Sequence, residues 1–264
     1  MKLGAIPILY FDRVNRGMMS PGDWHAEAAD VGLDGIELYD AFVGPWSEAA
    51  VLRQAEEIAG VGLEVSMYTT YCDFAPRDPA LREAARAQVL QGIRSAQLAG
   101  TGIVRVVAGN WIEGQEREET LRLVADGLRD CLDDAQASDV VLAFEDHPVI
   151  GTAPRDFVRI LELVDDERLK INLDTSNPME SGASVLDILP HVLDRVIHVH
   201  ASDRAADLSH VVTGTGVVPL GEVFAQLRSV GFSGYISMEI GGKPERASVE
   251  ASAANVRRLW EEAS

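Results

Sequence analysis

Short runs of β-branched and other apolar residues alternate along the chain with longer segments whose apolar residues recur at helical spacing. The apolar runs predict eight strands, at residues 3–9, 35–38, 63–67, 103–107, 140–144, 169–173, 196–199 and 235–239. The segments between them predict eight helices, at residues 21–31, 47–59, 79–99, 118–137, 154–164, 184–193, 220–230 and 244–260. This regular alternation of strand and helix is typical of parallel α/β folds.

Proline and glycine mark many of the predicted helix boundaries. Pro79 and Pro154 lie in first turns, where the missing amide N–H costs little, and Gly60, Gly100 and Gly231 follow helical segments. The phrases DVGLDGIEL, AGVGLEV, AGTGIVRV and VGFSGYISM repeat one order, which is helix end, glycine and strand. The repetition indicates a series of similar αβ units.

Eight strands that each lead into a helix predict a (β/α)₈ TIM barrel, because eight parallel strands can close on themselves. The alternative is an open doubly wound sheet, which places a glycine-rich phosphate loop after the first strand. Here that segment reads LYFDRVNRGMM and lacks the GxGxxG pattern. The length of 264 residues suits one barrel, and no linker or low-complexity tract is visible, so we predict one domain over residues 1–264.

Four consecutive predicted strands end in side chains that can bind a metal ion. Catalytic groups of a TIM barrel lie at the carboxyl ends of its strands. The fifth, sixth and eighth strands deliver Glu145, Asp174 and Glu239, and the seventh, in RVIHVHASD, delivers His200. These four residues are the candidates for the chemistry of the site.

The alternation of side chains along a strand tests whether the four candidates face the barrel axis. The residues two positions earlier share their face and are small or polar, namely Ala143, Asn172, His198 and Ser237. The opposite face is apolar, with Leu142, Phe144, Ile171, Leu173, Val199, Met238 and Ile240. The pattern predicts that the four candidates point inward together.

Three carboxylates in one barrel mouth repel one another, by about 4 kcal/mol for two unit charges about 4 Å apart at an effective dielectric constant of about 20. A divalent cation removes most of this repulsion. An oxygen-rich ligand set with one imidazole suits Mn²⁺, our first choice, and also Mg²⁺, Co²⁺ or Zn²⁺, but not copper or an iron–sulfur cluster. The sequence therefore predicts one bound divalent metal ion.

The charge and the cysteine content limit the classes of function. The formal net charge is −19 and only three residues are lysine, which disfavours nucleic acid and anionic membranes as partners. Two distant cysteines without a CxxC pair predict neither a disulfide framework nor a thiolate metal site. Without a signal-peptide pattern or a run of about 18 apolar residues, we expect a cytoplasmic protein. A homo-oligomer is compatible with the sequence.

The motifs AFEDH, NLDTSN, HVHASD, GTG and SMEI resemble, in their order and spacing, those of the xylose isomerase-like TIM barrel superfamily, specifically its sugar phosphate isomerase/epimerase family. The resemblance extends over nearly the whole chain. It implies that Glu145, Asp174, His200 and Glu239 bind one divalent metal. It also implies that Glu145 and Glu239 act as acid and base on opposite faces of a small sugar-like substrate, through a cis-enediolate.

Six further residues are predicted to contact the substrate, namely Glu37, Trp111, His147, Asn177, Arg204 and His210. Asn177 stands where many relatives carry a histidine in a DxxH motif, so the imidazole that helps to hold the substrate or a second metal is absent here. Arg204 lies near the position of a substrate-binding arginine in relatives, although the offset differs. The structural alternative for each of the six is a role in packing or in a loop.

Other functions on the same scaffold stay open. A metal-dependent lyase, of the inosose or dehydroshikimate dehydratase type, starts with the same proton abstraction, so the sequence does not separate it from an isomerase or epimerase. An abasic-site endonuclease shares the barrel but needs three metals and a basic DNA-binding face, which Asn177 and the acidic charge disfavour. A non-catalytic subunit is disfavoured because both glutamates are present.

Overall fold

The computed structural model describes residues 1–147 and 149–263, and for residues 40 and 41 it describes the backbone only. Its strands are β1 (Lys2–Ile6), β2 (Gly35–Tyr39), β3 (Glu64–Thr69), β4 (Ile103–Val106), β5 (Val141–Glu145), β6 (Lys170–Asp174), β7 (Val196–Ser202) and β8 (Tyr235–Glu239). Each strand runs parallel to its sequence neighbours, and β8 pairs again with β1. The described strands therefore form a closed barrel, which confirms the predicted fold class.

Helices connect successive strands around the outside of the barrel. They are α1 (Phe11–Asn15), α2 (Pro21–Asp30), α3 (Asp40–Val43), α4 (Glu48–Gly60), α5 (Pro79–Ala99), α6 (Arg117–Ala137), α7 (Pro154–Val164), α8 (Leu189–Val192), α9 (Leu220–Ser229) and α10 (Arg246–Glu262). Side chains cap several of them, as where Ser20 and Asp23 form a capping box at the start of α2. Within residues 1–147 and 149–263, no helix is both long and apolar enough to cross a membrane.

Three predicted elements differ from the structure in ways that have a clear physical cause or consequence. β1 ends at Ile6 rather than at residue 9, because Pro7 has no N–H for the strand ladder and a 3₁₀ turn follows at Ile8–Tyr10. β7 continues to Ser202, so His200 lies inside the strand. The helix predicted at residues 184–193 is instead a 3₁₀ turn, the four-residue α8 and a second 3₁₀ turn, because Pro190 lacks the N–H that a helix starting a full turn earlier would need there.

The main hydrophobic core lies between the barrel and its helices, on the strand face that the sequence predicted to be apolar. Leu142, Phe144 and Leu173 are fully buried there. Phe144 of β5 stacks on Phe157 of α7, with ring centroids 4.8 Å apart. This outward packing leaves the alternate residues of the same strands to face the barrel axis.

Two glycines inside long helices allow close packing. A Cβ atom on Gly92 of α5 would lie 2.4 Å from Thr70 Cγ2, and one on Gly127 of α6 would lie 2.3 Å from Phe74 Cδ1. Both partners belong to the segment that follows β3. The two helices therefore press directly on a loop at the carboxyl end of the barrel.

Candidate metal centre

The four residues predicted from the strand ends lie together at the carboxyl end of the barrel. Glu145, Asp174 and Glu239 are the last residues of β5, β6 and β8, and His200 lies in β7. One ligand atom from each side chain lies within 4.8 Å of those of the other three. Three of the side chains are fully buried, whereas that of Glu239 is 12% exposed. This four-residue cluster is therefore reached from the side of Glu239.

The atoms that face the centre of the four-residue cluster lack ordinary hydrogen bonds. His200 Nδ1 lies 2.6 Å from Glu145 Oε1 and 3.0 Å from Glu239 Oε1. Asp174 Oδ1 accepts the backbone N–H groups of Ser176 and Asn177, both at 2.7 Å, and this leaves Oδ2 toward the cluster. Among the described residues, Glu145 Oε1, Asp174 Oδ2 and His200 Nδ1 form no well-aligned hydrogen bond, although Nδ1 and Oε1 lie close together.

Buried polar atoms are costly unless they are paired, and a cation satisfies several acceptors at once. Three carboxylates and one imidazole nitrogen within this small space form a ligand set suited to a hard or borderline divalent ion. The residues present therefore fit a divalent metal ion, which Glu145, Asp174, His200 and Glu239 would hold.

The electrostatics of the four-residue cluster reflect its crowding. Burial raises the pKa of Asp174 to about 8, and the neighbouring glutamate charges add to this effect. For Glu145, burial also raises the pKa, but the charges of Arg105 and His200 outweigh it and lower the pKa to about 2. Burial lowers the pKa of His200, yet the surrounding carboxylates raise it well above its usual value. A metal ion that binds here competes with protons.

Arg105 is a buried cation beside the four-residue cluster that the sequence analysis missed. It lies in β4, where its Nη1 donates to Glu145 Oε2 at 2.9 Å and its Nη2 donates to the carbonyl oxygen of Thr70 at 3.1 Å. Its guanidinium lies 4.4 Å from the ring centroid of Tyr71. An available signal was the charge inside the apolar run IVRVV, opposite Ala143, on the face that Glu145 shares.

Asp146 is the second missed residue, although it lies in the motif AFEDH. It is fully buried, and its Oδ1 accepts the backbone N–H of Asp174 at 2.7 Å. Burial raises the pKa of Asp146 well above its usual value, and the charge of Asp174 acts in the same direction. Asp146 therefore ties the end of β6 to the end of β5 and holds Asp174 in place.

Glu37 lies beneath the four-residue cluster, with its carboxylate bound on both sides by the protein. Its Oε1 lies 3.1 Å from His198 Nε2 and 2.9 Å from His200 Nε2. Its Oε2 accepts the hydroxyl proton of Thr69 at 2.7 Å. These contacts indicate that Glu37 supports the two imidazole rings. They disfavour the substrate contact that was predicted for it.

Two of the other predicted residues lie at the rim of the site. His147 is half-buried two residues after Glu145, and its ring centroid lies 5.4 Å from that of Tyr71. Trp111 lies in the loop after β4, where its half-buried ring packs against the guanidinium of Arg117, 4.9 Å from the ring centroid. Both are aromatic groups that a substrate at the barrel mouth can meet.

Asn177 and Arg204 are buried rather than presented at the rim. Asn177 starts a 3₁₀ turn, and its backbone N–H orients Asp174. The guanidinium of Arg204 is bound by protein groups, because Nη1 donates to Glu180 Oε1 at 2.5 Å and Nε donates to Ser176 Oγ at 3.1 Å. Arg204 therefore stabilises the loop after β6. Because its guanidinium is occupied by these contacts, the substrate contact predicted for Arg204 is disfavoured.

His210 is exposed in the loop after β7. Its Nδ1 lies 3.3 Å from Ser202 Oγ, and its backbone pairs with Arg204. Although His210 is exposed, neighbouring atoms partly desolvate its ring, which lowers its pKa; the charge of Arg204 adds to this effect and the charge of Glu239 opposes it. His210 therefore lies on the same side of the mouth as the partly exposed Glu239.

One buried carboxylate organises the loop that contains the GTG motif. Asp203 Oδ1 accepts the N–H groups of Arg204 at 2.9 Å and Val218 at 3.2 Å. Its Oδ2 accepts those of Gly214 at 2.9 Å and Gly216 at 2.7 Å. The four hydrogen bonds fix the loop that carries His210.

Comparisons with known proteins agree with this architecture. The family model described as xylose isomerase-like TIM barrel matches residues 25–259. Inosose dehydratase 2 of Bacillus cereus is 26% identical, over 99% of this chain and 97% of that protein.

Two solved structures show the same fold. A D-tagatose 3-epimerase-like protein superposes with a TM-score of 0.83 at 20% identity, covering 100% of this chain and 98% of that one. A probable 3-DHS dehydratase from Bacillus anthracis superposes with a TM-score of 0.76 at 21% identity, covering 98% of both chains.

Proposed function

Because this chain belongs to the xylose isomerase-like TIM barrel family, we propose that it is a metal-dependent isomerase or epimerase of a small sugar-like, polyol or keto-acid substrate. One observation carries the proposal. Glu145, Asp174 and His200 converge through buried atoms that lack hydrogen-bond partners among the described residues, beside the accessible Glu239. We take Mn²⁺ as the first choice of ion, with Mg²⁺, Co²⁺ and Zn²⁺ as alternatives. When bound, the ion supplies Lewis-acid polarisation of the substrate's carbonyl oxygen.

The two glutamates are the proton carriers in this proposal. The C–H bond next to the carbonyl breaks, its proton moves to a glutamate oxygen, and its electron pair forms the enediolate. Return of a proton to the neighbouring carbon gives an isomer, and delivery by the second glutamate to the opposite face gives an epimer. Glu239 is better placed for the first step, because its side chain is partly exposed whereas Arg105 holds the buried Glu145.

A dehydratase is the second candidate function. The relative of nearly equal length is named inosose dehydratase 2. Elimination needs only one base for the proton, which suits the unequal surroundings of Glu239 and Glu145. In that reaction the electron pair of the enediolate expels a β-hydroxyl group, which takes up the proton that the base removed from carbon and leaves as water.

The predicted substrate contacts divide by their surroundings. We propose that Trp111, His147 and His210 line the substrate site, and that Glu37, Asn177 and Arg204 support it. The rings at the rim offer apolar surface to the C–H groups of a sugar, and the ring nitrogens of the histidines can bind its hydroxyls.

The test is a substrate screen in D₂O with the metal-loaded protein. Purified protein is loaded with Mn²⁺ and incubated with ketoses, inososes and hydroxypyruvate, and the products are analysed by NMR and mass spectrometry. We expect deuterium to enter carbon next to the carbonyl and the product to have the mass of an isomer apart from the deuterium it has taken up. Loss of one water identifies the dehydratase instead.

Variants separate the chemistry from the fold. We expect Glu239→Gln to lower turnover by at least about a hundredfold, the usual contribution of a general base, while the fold survives. Glu83→Gln is the matched control, because Glu83 is exposed on α5, and it should keep full turnover. Near-normal turnover of Glu239→Gln, or no deuterium exchange with any substrate of the panel, would refute the proposal.

A further inference from the structure

The hydrogen bonds of Glu37 determine which nitrogen of His200 keeps its hydrogen when a metal ion binds. A carboxylate only accepts hydrogen bonds, so each ring nitrogen that binds it must carry hydrogen. Glu37 Oε1 lies 2.9 Å from His200 Nε2. Nδ1 also lies close to carboxylates, so both ring nitrogens can carry hydrogen in the metal-free protein; when a metal ion takes the place of the hydrogen on Nδ1, the hydrogen that remains is on Nε2. Nδ1 is the atom that faces Glu145 and Glu239, at 2.6 and 3.0 Å.

The carboxylate itself is held in one orientation. The hydroxyl of Thr69 donates to Oε2 at 2.7 Å, and His198 Nε2 lies 3.1 Å from Oε1. All four side chains are buried, with at most 2% exposure. Each of them comes from a strand of the barrel, β2, β3 or β7, so none can swing away as a loop residue could.

We propose that Glu37 is a positioning residue of the metal centre, acting through the chain Thr69–Glu37–His200. It fixes the ring orientation of His200, so that Nδ1 points at the four-residue cluster and can bind an ion once it has given up its hydrogen. The proposal rests on the proposed function only in taking His200 as a metal ligand. It adds β2, a strand outside the four that carry the ligands, to the parts that set metal affinity.

A second metal ion is the competing explanation, since Glu37, His198 and His200 also bring three possible ligand atoms together. The contacts argue against it. Glu37 Oε1 already lies within hydrogen-bond distance of both Nε2 atoms, and none of these three atoms is an unpartnered buried atom among the described residues. His200 Nδ1 is such an atom, and it lies on the other side of the ring.

The experiment titrates metal-free protein with Mn²⁺ by calorimetry, without any substrate. We expect one ion per chain for the wild type and an affinity lower by about 10- to 100-fold for Glu37→Leu, the usual effect of removing such a support. Glu37→Gln keeps a carbonyl acceptor for Nε2–H and should lose less affinity than Glu37→Leu. Thr69→Val removes the hydroxyl that holds Oε2 and should lower the affinity less than Glu37→Leu does. Glu83→Gln is the matched control, because Glu83 is exposed on α5, and it should keep the affinity of the wild type.

A second readout follows the tautomer directly. In the Zn²⁺-loaded protein, ¹H–¹⁵N NMR of the histidine rings should show hydrogen on Nε2 of His200 in the wild type. Circular dichroism and thermal unfolding of the metal-free proteins establish that each variant is folded. If Glu37→Leu does not fold, the affinity of Glu37→Gln is compared with that of the wild type instead.

The outcomes separate this proposal from the proposed function. Wild type that binds no divalent ion would remove the basis of the function itself. Wild type that binds one ion, with the same affinity in both Glu37 variants or with hydrogen on Nδ1, would overturn the role of Glu37 and leave the function standing. Two ions per chain would assign Glu37 and His198 to a second metal site and would also overturn it.

Discussion

A charged side chain inside a barrel needs a partner of opposite charge, and Arg105 has such a partner in Glu145. Its guanidinium is 1% exposed and its partner Glu145 is 0% exposed. The same contact occupies Glu145 Oε2, which leaves Oε1 for the four-residue cluster. One ion pair therefore neutralises a buried carboxylate and selects the oxygen that it offers to a metal.

Replacement of Arg105 by Met should destabilise the protein by roughly 3–5 kcal/mol, because it leaves the carboxylate of Glu145 buried without its cation. Urea unfolding of the metal-free protein measures the loss. Arg94→Met is the matched control, since Arg94 pairs with Glu48 at the exposed surface, where solvent screening leaves the pair little effect on the free energy of unfolding. Equal losses in the two variants would contradict the importance of the buried pair.

The site residues that the sequence revealed are those whose chemistry and position both follow from strand periodicity. Glu145, Asp174, His200 and Glu239 share one phase of alternation, and the structure brings them together. Arg105 has the same phase, but it lies in the middle of a strand, where a sequence gives no partner for a charge. The contacts of Arg204 and Glu37 depend on side chains far away in the sequence, so their supporting roles became visible only in the structure.

Helices α5 and α6 each pack closely against the loop after β3 through a glycine. Gly92 and Gly127 have no room for a Cβ atom, because Thr70 and Phe74 occupy the space. Thr70 O also accepts a hydrogen bond from Arg105. The position of α5 therefore influences the position of the loop whose Thr70 carbonyl binds Arg105.

We expect Gly92→Ala to destabilise the protein by about 1–3 kcal/mol, the usual cost of overpacking, despite the higher helix propensity of alanine. Gly221→Ala in α9 is the control, since nothing lies within 4 Å of the place that the added methyl group would take, and there alanine should be neutral or stabilising by up to about 1 kcal/mol. Chemical denaturation of both variants measures the difference. A stabilising Gly92→Ala would show that α5 can move away from Thr70.

The boundaries of the elements were predictable where a local signal exists. Pro79, Gly100 and Pro154 mark ends that agree with the predicted ones to the residue. The segment 184–193 misled the prediction because its apolar spacing is helical, while Pro190 interrupts the hydrogen bonds that a continuous helix needs. Apolar periodicity reports burial, and the backbone hydrogen bonds decide whether a buried segment is one helix or several turns.

For the molecule as a whole, the four-residue cluster concentrates like charges in the interior, and a cation that binds only the folded state should stabilise it. At an Mn²⁺ concentration about 100 times the dissociation constant, the gain is about 2.7 kcal/mol. We therefore expect EDTA to lower the thermal midpoint of wild type by several degrees relative to excess Mn²⁺, as measured by calorimetry.

Asp174→Asn provides the control for this stabilisation. Because burial and the neighbouring glutamates raise the pKa of Asp174, its carboxyl takes up a proton more readily than an exposed aspartate does in the absence of metal, and an amide is a close substitute for that neutral form. The variant should match wild type in EDTA and gain little from Mn²⁺. An equal gain in both proteins would place the stabilising ion elsewhere.

The carboxylate of Asp203 accepts four backbone hydrogen bonds, and these affect the entropy change when a ligand binds. When a loop becomes ordered on ligand binding, the loss of chain entropy makes the free energy of binding less favourable. Here that ordering is complete once the polypeptide has folded. Asp203→Ala should therefore weaken binding mainly through a more unfavourable entropy of association, with the contacts in the final complex unchanged.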